Sequence, residues 1–167
     1  MVVTNKKIEF FVIPDSFQNE EIVKFNKPKF VFNKQKSAFK SAIFNPSKSH
    51  MIACSFCDFS IQIWSIRKSS IQKIVCSDIP IQMKWNENGY LLGYIDEINI
   101  IKIYNIYIKK EIFKLNLEEE SISNFEFFGN DNLLVCNQSK DQIVQYKFEV
   151  NPKEGLKILD NKQYSFI

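Results

Sequence analysis

Ile61-Gln-Ile-Trp-Ser-Ile66 reads as a strand, apolar at both ends and aromatic at its fourth position. The pattern returns as Ile101-Lys-Ile-Tyr-Asn-Ile106 and Ile143-Val-Gln-Tyr-Lys-Phe148, and an earlier version stands at Ile8-Glu-Phe-Phe-Val-Ile13. The aromatics Phe11, Trp64, Tyr104 and Tyr146 lie 53, 40 and 42 residues apart. A second series, Phe44, Trp85 and Phe127, runs at 41 and 42, each member 19 or 20 residues ahead of its unit's later aromatic. Two interlocked series at one period identify an internal repeat, and a repeat decides the architecture before any single element does.

Turn residues divide each unit. In the first, Phe39 to Asn45 reads as a strand, Pro46-Ser-Lys-Ser49 as a turn, and His50 to Ser55 as a strand. Cys57-Asp-Phe-Ser60 then turns into the Trp64 strand, and Ile71 to Cys76 supplies a fourth. The second unit offers Pro80 to Trp85, Tyr90 to Ile95, Ile98 to Ile106 and Glu111 to Leu117; the third offers Ile122 to Phe128, Leu133 to Cys136, Gln142 to Phe148 and Leu156 to Leu159. Four short strands per repeat of this length are the mark of a β-propeller blade. The expectation is one all-β domain over 1–167, a partial propeller of about three full four-stranded blades at 36–76, 79–117 and 121–160. Extra terminal strands are expected at Ile8 to Ile13, Pro28 to Phe32 and Gln163 to Ile167. Strands apolar on both faces favour sheets sandwiched between sheets; a two-layer sandwich, the alternative, would alternate cleanly.

Composition narrows the function classes. The 167 residues fit one domain, and 45% hydrophobic with 25% charged residues excludes wholesale disorder. There are 24 Ile, 21 Lys, 16 Asn and 16 Phe, against one Arg, one His and four Gly. Ile and Phe favour strands. A net charge of +3 on scattered lysines, with a single guanidinium at Arg67, does not make a nucleic-acid face. No apolar run approaches the roughly 20 residues of a membrane span, and Met1-Val-Val-Thr-Asn-Lys-Lys7 lacks the order of a signal peptide. A cytoplasmic protein without membrane attachment is expected.

Phe44-Asn-Pro46, the strand ending near Asp58, and Ile61-Gln-Ile-Trp64 together resemble a WD40 repeat. Trp85-Asn-Glu-Asn-Gly89 with Ile101-Lys-Ile-Tyr104 resembles a second, and Ser139-Lys-Asp141 before Tyr146 a third. The family's Gly-His pair is missing, Cys54 replaces its usual Ser or Thr, and Asp96 and Asp141 stand eight and five residues before their aromatics instead of six. Within WD40 proteins, Phe10-Phe-Val-Ile-Pro14, Ile43-Phe-Asn-Pro46, Met51-Ile-Ala-Cys-Ser55 and Lys84-Trp-Asn-Glu-Asn-Gly89 are similar to coronins. That resemblance implies an actin or cytoskeletal partner and a non-catalytic interaction scaffold.

No residue set points to catalysis. His50 has neither a nucleophile elbow nor a paired carboxylate beside it, and no glycine-rich phosphate loop is present. Cys54-Ser-Phe-Cys57 has the CxxC spacing but no second ligand pair, so buried small-residue packing is expected and no metal or cofactor. Asn137-Gln-Ser139 matches a glycosylation sequon, read as accidental, and Glu118-Glu-Glu120 reads as a solvated loop. The candidate interaction residues sit on turns and blade-to-blade loops: Lys34, Lys36, Lys40, Phe56, Asp58, Phe59, Asp78, Asp96, Glu97 and Lys140. An incomplete ring leaves sheet edges open. Protein partners are therefore expected, as a self-dimer through edge strands or as neighbours in another assembly that complete those edges.

Overall fold

The computed structural model describes residues 2–3, 8–10, 30–32, 37–65, 67, 70–117, 122–137, 140–151 and 155–165. Every regular element among them is a β-strand. The short strands β1 (Val2–Val3), β2 (Ile8–Phe10) and β3 (Phe30–Phe32) form a three-stranded antiparallel sheet. Three four-stranded antiparallel sheets follow. The first holds β4 (Phe39–Phe44), β5 (Met51–Phe56), β6 (Ser60–Ser65) and β7 (Ser70–Val75); the second β8 (Pro80–Trp85), β9 (Leu91–Asp96), β10 (Ile100–Asn105) and β11 (Lys110–Asn116). The third holds β12 (Ile122–Phe128), β13 (Asn132–Asn137), β14 (Gln142–Asn151) and β15 (Gly155–Ser165). In each sheet strands adjacent in sequence are adjacent in space.

The turns repeat as faithfully as the strands. Phe56 pairs with Ser60, leaving a three-residue connection that ends on Phe59 at φ 59°; the next sheet's ends on Asn99 at φ 62°. Asp141, at φ 47°, ends the third sheet's connection, which is one residue longer. A left-handed last residue is what three-residue hairpin loops use to match strand twist.

Sheets stack through apolar faces. Ala53, Ile61 and Ile63 of the first meet Met83, Trp85, Leu92 and Tyr94 of the second. Leu91, Ile95, Ile101 and Ile103 of the second meet Phe125, Phe127, Leu133, Val135 and Phe148 of the third. Gly93 makes room there: a Cβ on it would lie 2.7 Å from the Phe125 ring. The first sheet's other face buries Phe39, Ile52, Cys54, Phe56 and Trp64. First strands of successive sheets run side by side, with Gln82 Nε2 donating to Asn124 Oδ1 at 2.6 Å and Lys84 Nζ 2.5 Å from Glu126. Turns also clasp the next sheet's turns. Asn45 Nδ2 donates to Gly89 O at 2.8 Å, Ser47 Oγ to Asn88 O at 2.6 Å, and Asn88 N–H to Asn130 Oδ1 at 3.0 Å.

Two expectations need correction. The third sheet is not apolar on both faces: β13 alternates between buried Leu133, Val135 and Asn137 and half-buried Asn132, Leu134 and Cys136, because no further described sheet covers its far side. Nor do residues 163–165 form a separate strand awaiting a partner. After Gly155 no residue with left-handed φ interrupts 156–165, so β15 runs on past Leu159, and Gln163, Tyr164 and Ser165 pair with Val144, Ile143 and Gln142.

Candidate functional site

Each meander places its connections on two opposite faces. The upper face carries the links between second and third strands (57–59, 97–99 and 140–141) and the passages between sheets; the lower face carries the links between first and second strands. Most sequence-derived candidates lie on the upper face. Lys40 and Glu97 form an exposed pair at 3.8 Å, and Asp58 accepts from Ser60 Oγ at 2.5 Å with Lys73 at 3.5 Å. Exposed pairs of this kind contribute under about 1 kcal/mol. Phe59 is 48% exposed on its strained turn, Lys140 is exposed on the third sheet's turn, and half-buried Asp78 accepts the N–H of Ile79 at 2.7 Å. Lys34, Lys36 and Glu118 to Glu120 lie outside the described residues.

Phe56 and Asp96 are corrections: neither is a surface residue. Both end a second strand, opposite Phe39 and Pro80 respectively, and both side chains turn inward. Phe56 is 1% exposed, its ring 4.6 Å from that of Phe39. Asp96 is fully buried. Its Oδ2 lies 2.7 Å from Lys102 Nζ, its Oδ1 accepts the N–H of Ile100 at 3.0 Å, and Lys102 also donates to Ser77 Oγ. A buried carboxylate and a buried amine are tolerable only where each satisfies the other and the remaining polar atoms find hydrogen-bond partners. Lys102 further sits 5.7 Å from the Tyr94 ring, and Tyr94 OH reaches Glu111 Oε2 at 3.4 Å. This is a structural lock within the second sheet, tied through Ser77 to the passage from the first. In the first sheet Trp64 Nε1 donates instead to Gln62 Oε1 at 3.0 Å.

The thiols follow burial. Cys54 lies among Phe39, Phe56 and Trp64, where desolvation pushes its pKa well above the usual thiol value; burial likewise raises Cys76 from 9.0 to about 11. Both are held as neutral thiols, poor metal ligands and poor nucleophiles. Cys57 stands on the turn, half-buried. Asn137 of the sequon is buried.

The lower face was not singled out by the sequence. It has a cleft of about 370 Å³ between the second and third sheets, bordered by Asn86, Tyr90, Asn105, Asn130, Phe148 and Leu159. At its mouth Tyr90 meets Tyr107 edge to face at 4.7 Å, and Lys48 Nζ lies 4.7 and 4.3 Å from the two ring centres. Lys48 also hydrogen-bonds Tyr107 OH. The one sequence signal for this site was the asparagine recurring after Phe44 and Trp85.

No family model and no curated protein matches the chain. Solved structures do. Hsv2 of Kluyveromyces marxianus is similar over 82% of this chain and 52% of its own, at TM-score 0.66 and 13% identity. The RRP9 WD40 repeats are similar over 77% and 39%, at TM-score 0.59 and 13% identity. A chain of a polycomb repressive complex 2 in its basal state is similar over 78% and 32%, at TM-score 0.62 and 16% identity. The fold is thus that of WD40 β-propellers, and the chain spans about a third to a half of the length of these neighbours.

Proposed function

We propose that this chain is a non-catalytic scaffold, a structural subunit of a multi-protein cytoplasmic assembly whose neighbours complete its open sheet. One observation carries the reading. The far face of the third sheet presents half-buried Leu134, Cys136 and Ile143 with exposed Tyr164, in a fold whose first two four-stranded sheets bury such residues on both sides. In a propeller the next sheet sits against that face, supplied by the same polypeptide beyond this stretch or by a second chain, a further copy included. The presence of one structural neighbour in a named repressive complex supports an assembly role. Crosslinking mass spectrometry on the native protein tests it. Crosslinks from Lys162 to another polypeptide are expected; a native monomer with no such crosslinks overturns the reading. The finer, actin-directed reading rests on the coronin-like motifs alone. Co-sedimentation with filamentous actin across a salt series tests that, saturable pelleting weakened by salt being its required result.

A further inference from the structure

We infer that the lower-face cleft between the second and third sheets docks an extended segment of a partner protein, taking its backbone carbonyls and one apolar side chain. The inference rests on the scaffold reading and names its contact. Four asparagines border the cleft, and backbone N–H groups fix the oxygen of each. Asn86 Oδ1 accepts from Tyr90 at 3.0 Å and Leu91 at 2.8 Å, and Asn88 Oδ1 from Tyr90 at 3.0 Å. Asn105 Oδ1 accepts from Tyr107 at 3.0 Å and Ile108 at 3.4 Å, and Asn130 Oδ1 from Asn88 at 3.0 Å. A backbone N–H can only donate, so these amides cannot be flipped, and their NH₂ groups are the free ends. Among the described residues none accepts from them, and none of the four is a buried donor left unpaired, so each NH₂ is open to water in the cleft. Oriented donors of this kind favour a ligand whose acceptors take the place of that water.

The surrounding charges choose among acceptors. Asp131 and Glu149 face a single Lys147 around the cleft, so its lining is net negative in a chain of net charge +3. A phosphate or carboxylate would meet two acids there; neutral carbonyls would not. The apolar part of the lining, Leu91, Phe148, Val150 and Leu159, requires an apolar side chain, with Leu159 52% exposed until covered. Peptide carbonyls flanking an aliphatic residue, with Lys or Arg beside it, satisfy all three conditions. The Tyr90–Tyr107 pair at the mouth adds a rigid aromatic contact of the kind that dominates interface energetics.

The test is selection of a displayed random-peptide library on the whole folded chain, followed by binding of the chosen peptides to variants. We expect a consensus with an apolar anchor, a basic neighbour and no acidic residue. Leu159→Glu should weaken binding about tenfold or more. Asn105→Ser should do the same, since its hydroxyl can still accept from the turn's N–H groups but is too short to reach a peptide carbonyl and adds no charge; thermal unfolding close to wild type confirms that both variants fold. Ile98→Glu, on the upper face, should bind normally. An acidic consensus, no enrichment, or peptides lost with Ile98→Glu but kept by Leu159→Glu overturns the inference. Native crosslinks at Lys162, outside the cleft, persisting in any of those cases show the scaffold reading standing without this cleft.

Discussion

The second and third sheets have the same strand order and pairing, yet they are buried differently. At positions facing the next sheet, the second places Ile95, Ile101 and Ile103, all at 1% exposure or less. The third places Cys136, Ile143 and Gln145 at the matching pairs, and all three are half-buried. The second sheet also affords a buried charge: Gln62, Lys102 and Val144 hold one repeat position, and the lysine stands in the sheet covered on both sides. A strand's own pattern makes it a blade strand; the presence of a following sheet decides how apolar its second face becomes.

Breaking the contact between these sheets should have the largest effect. Phe125→Ala removes a fully buried ring packed against Gly93 and should cost about 3–5 kcal/mol in urea unfolding. Leu134→Ala, on the third sheet's far face, should cost under about 1 kcal/mol in the isolated chain. A cost at Leu134 equal to that at Phe125 would mean the far face is already covered in solution. Next comes the charge lock. Lys102→Val, which copies the third sheet, strands Asp96 and should cost about 3 kcal/mol, much of it restored by adding Asp96→Asn. Additive losses in the double variant would refute the pairing.

Smaller effects compare equivalent turns. Phe59 and Asn99 share a left-handed backbone, which asparagine tolerates and phenylalanine does not. Phe59→Asn should therefore stabilise by about 1 kcal/mol, read as a raised Tm, whereas Asn99→Phe should lower it. The smallest effect is on pH. Burial raises the Cys76 thiol from 9.0 to about 11, so the folded state keeps a proton that the unfolded chain loses first. Stability from this group is complete below about pH 9 and declines as pH rises to about 11. Denaturation midpoints should fall over that interval, and less so in Cys76→Ala.

Much of this fold was legible because its repeat is written in large aromatics at fixed spacing, which pack wherever sheets stack. The sites were harder. Phe56 shares the period-2 face of Ile52 and Cys54, so strand alternation would have turned it inward; only its nearness to a turn suggested exposure. Asp96 is its counterpart one repeat later, and Lys102, which neutralises it, sits in Ile101-Lys-Ile103 where alternation reads as a solvated lysine. A buried ion pair is a property of two positions, and neither announces the other. The lower-face cleft depends on asparagine amides oriented by backbone groups of their own or neighbouring turns, which composition registers only as many asparagines.

Among the described residues each strand also pairs with its neighbours in sequence, never with one made much later. During synthesis a sheet can therefore close as soon as its fourth strand has left the ribosome, with little loop entropy to overcome. The turn-to-turn clasps at Asn45, Ser47 and Asn88 each reach forward to the following unit, so every finished sheet offers a docking edge to the one still emerging. Assembly in the order of translation is thereby favoured over search among distant pairings.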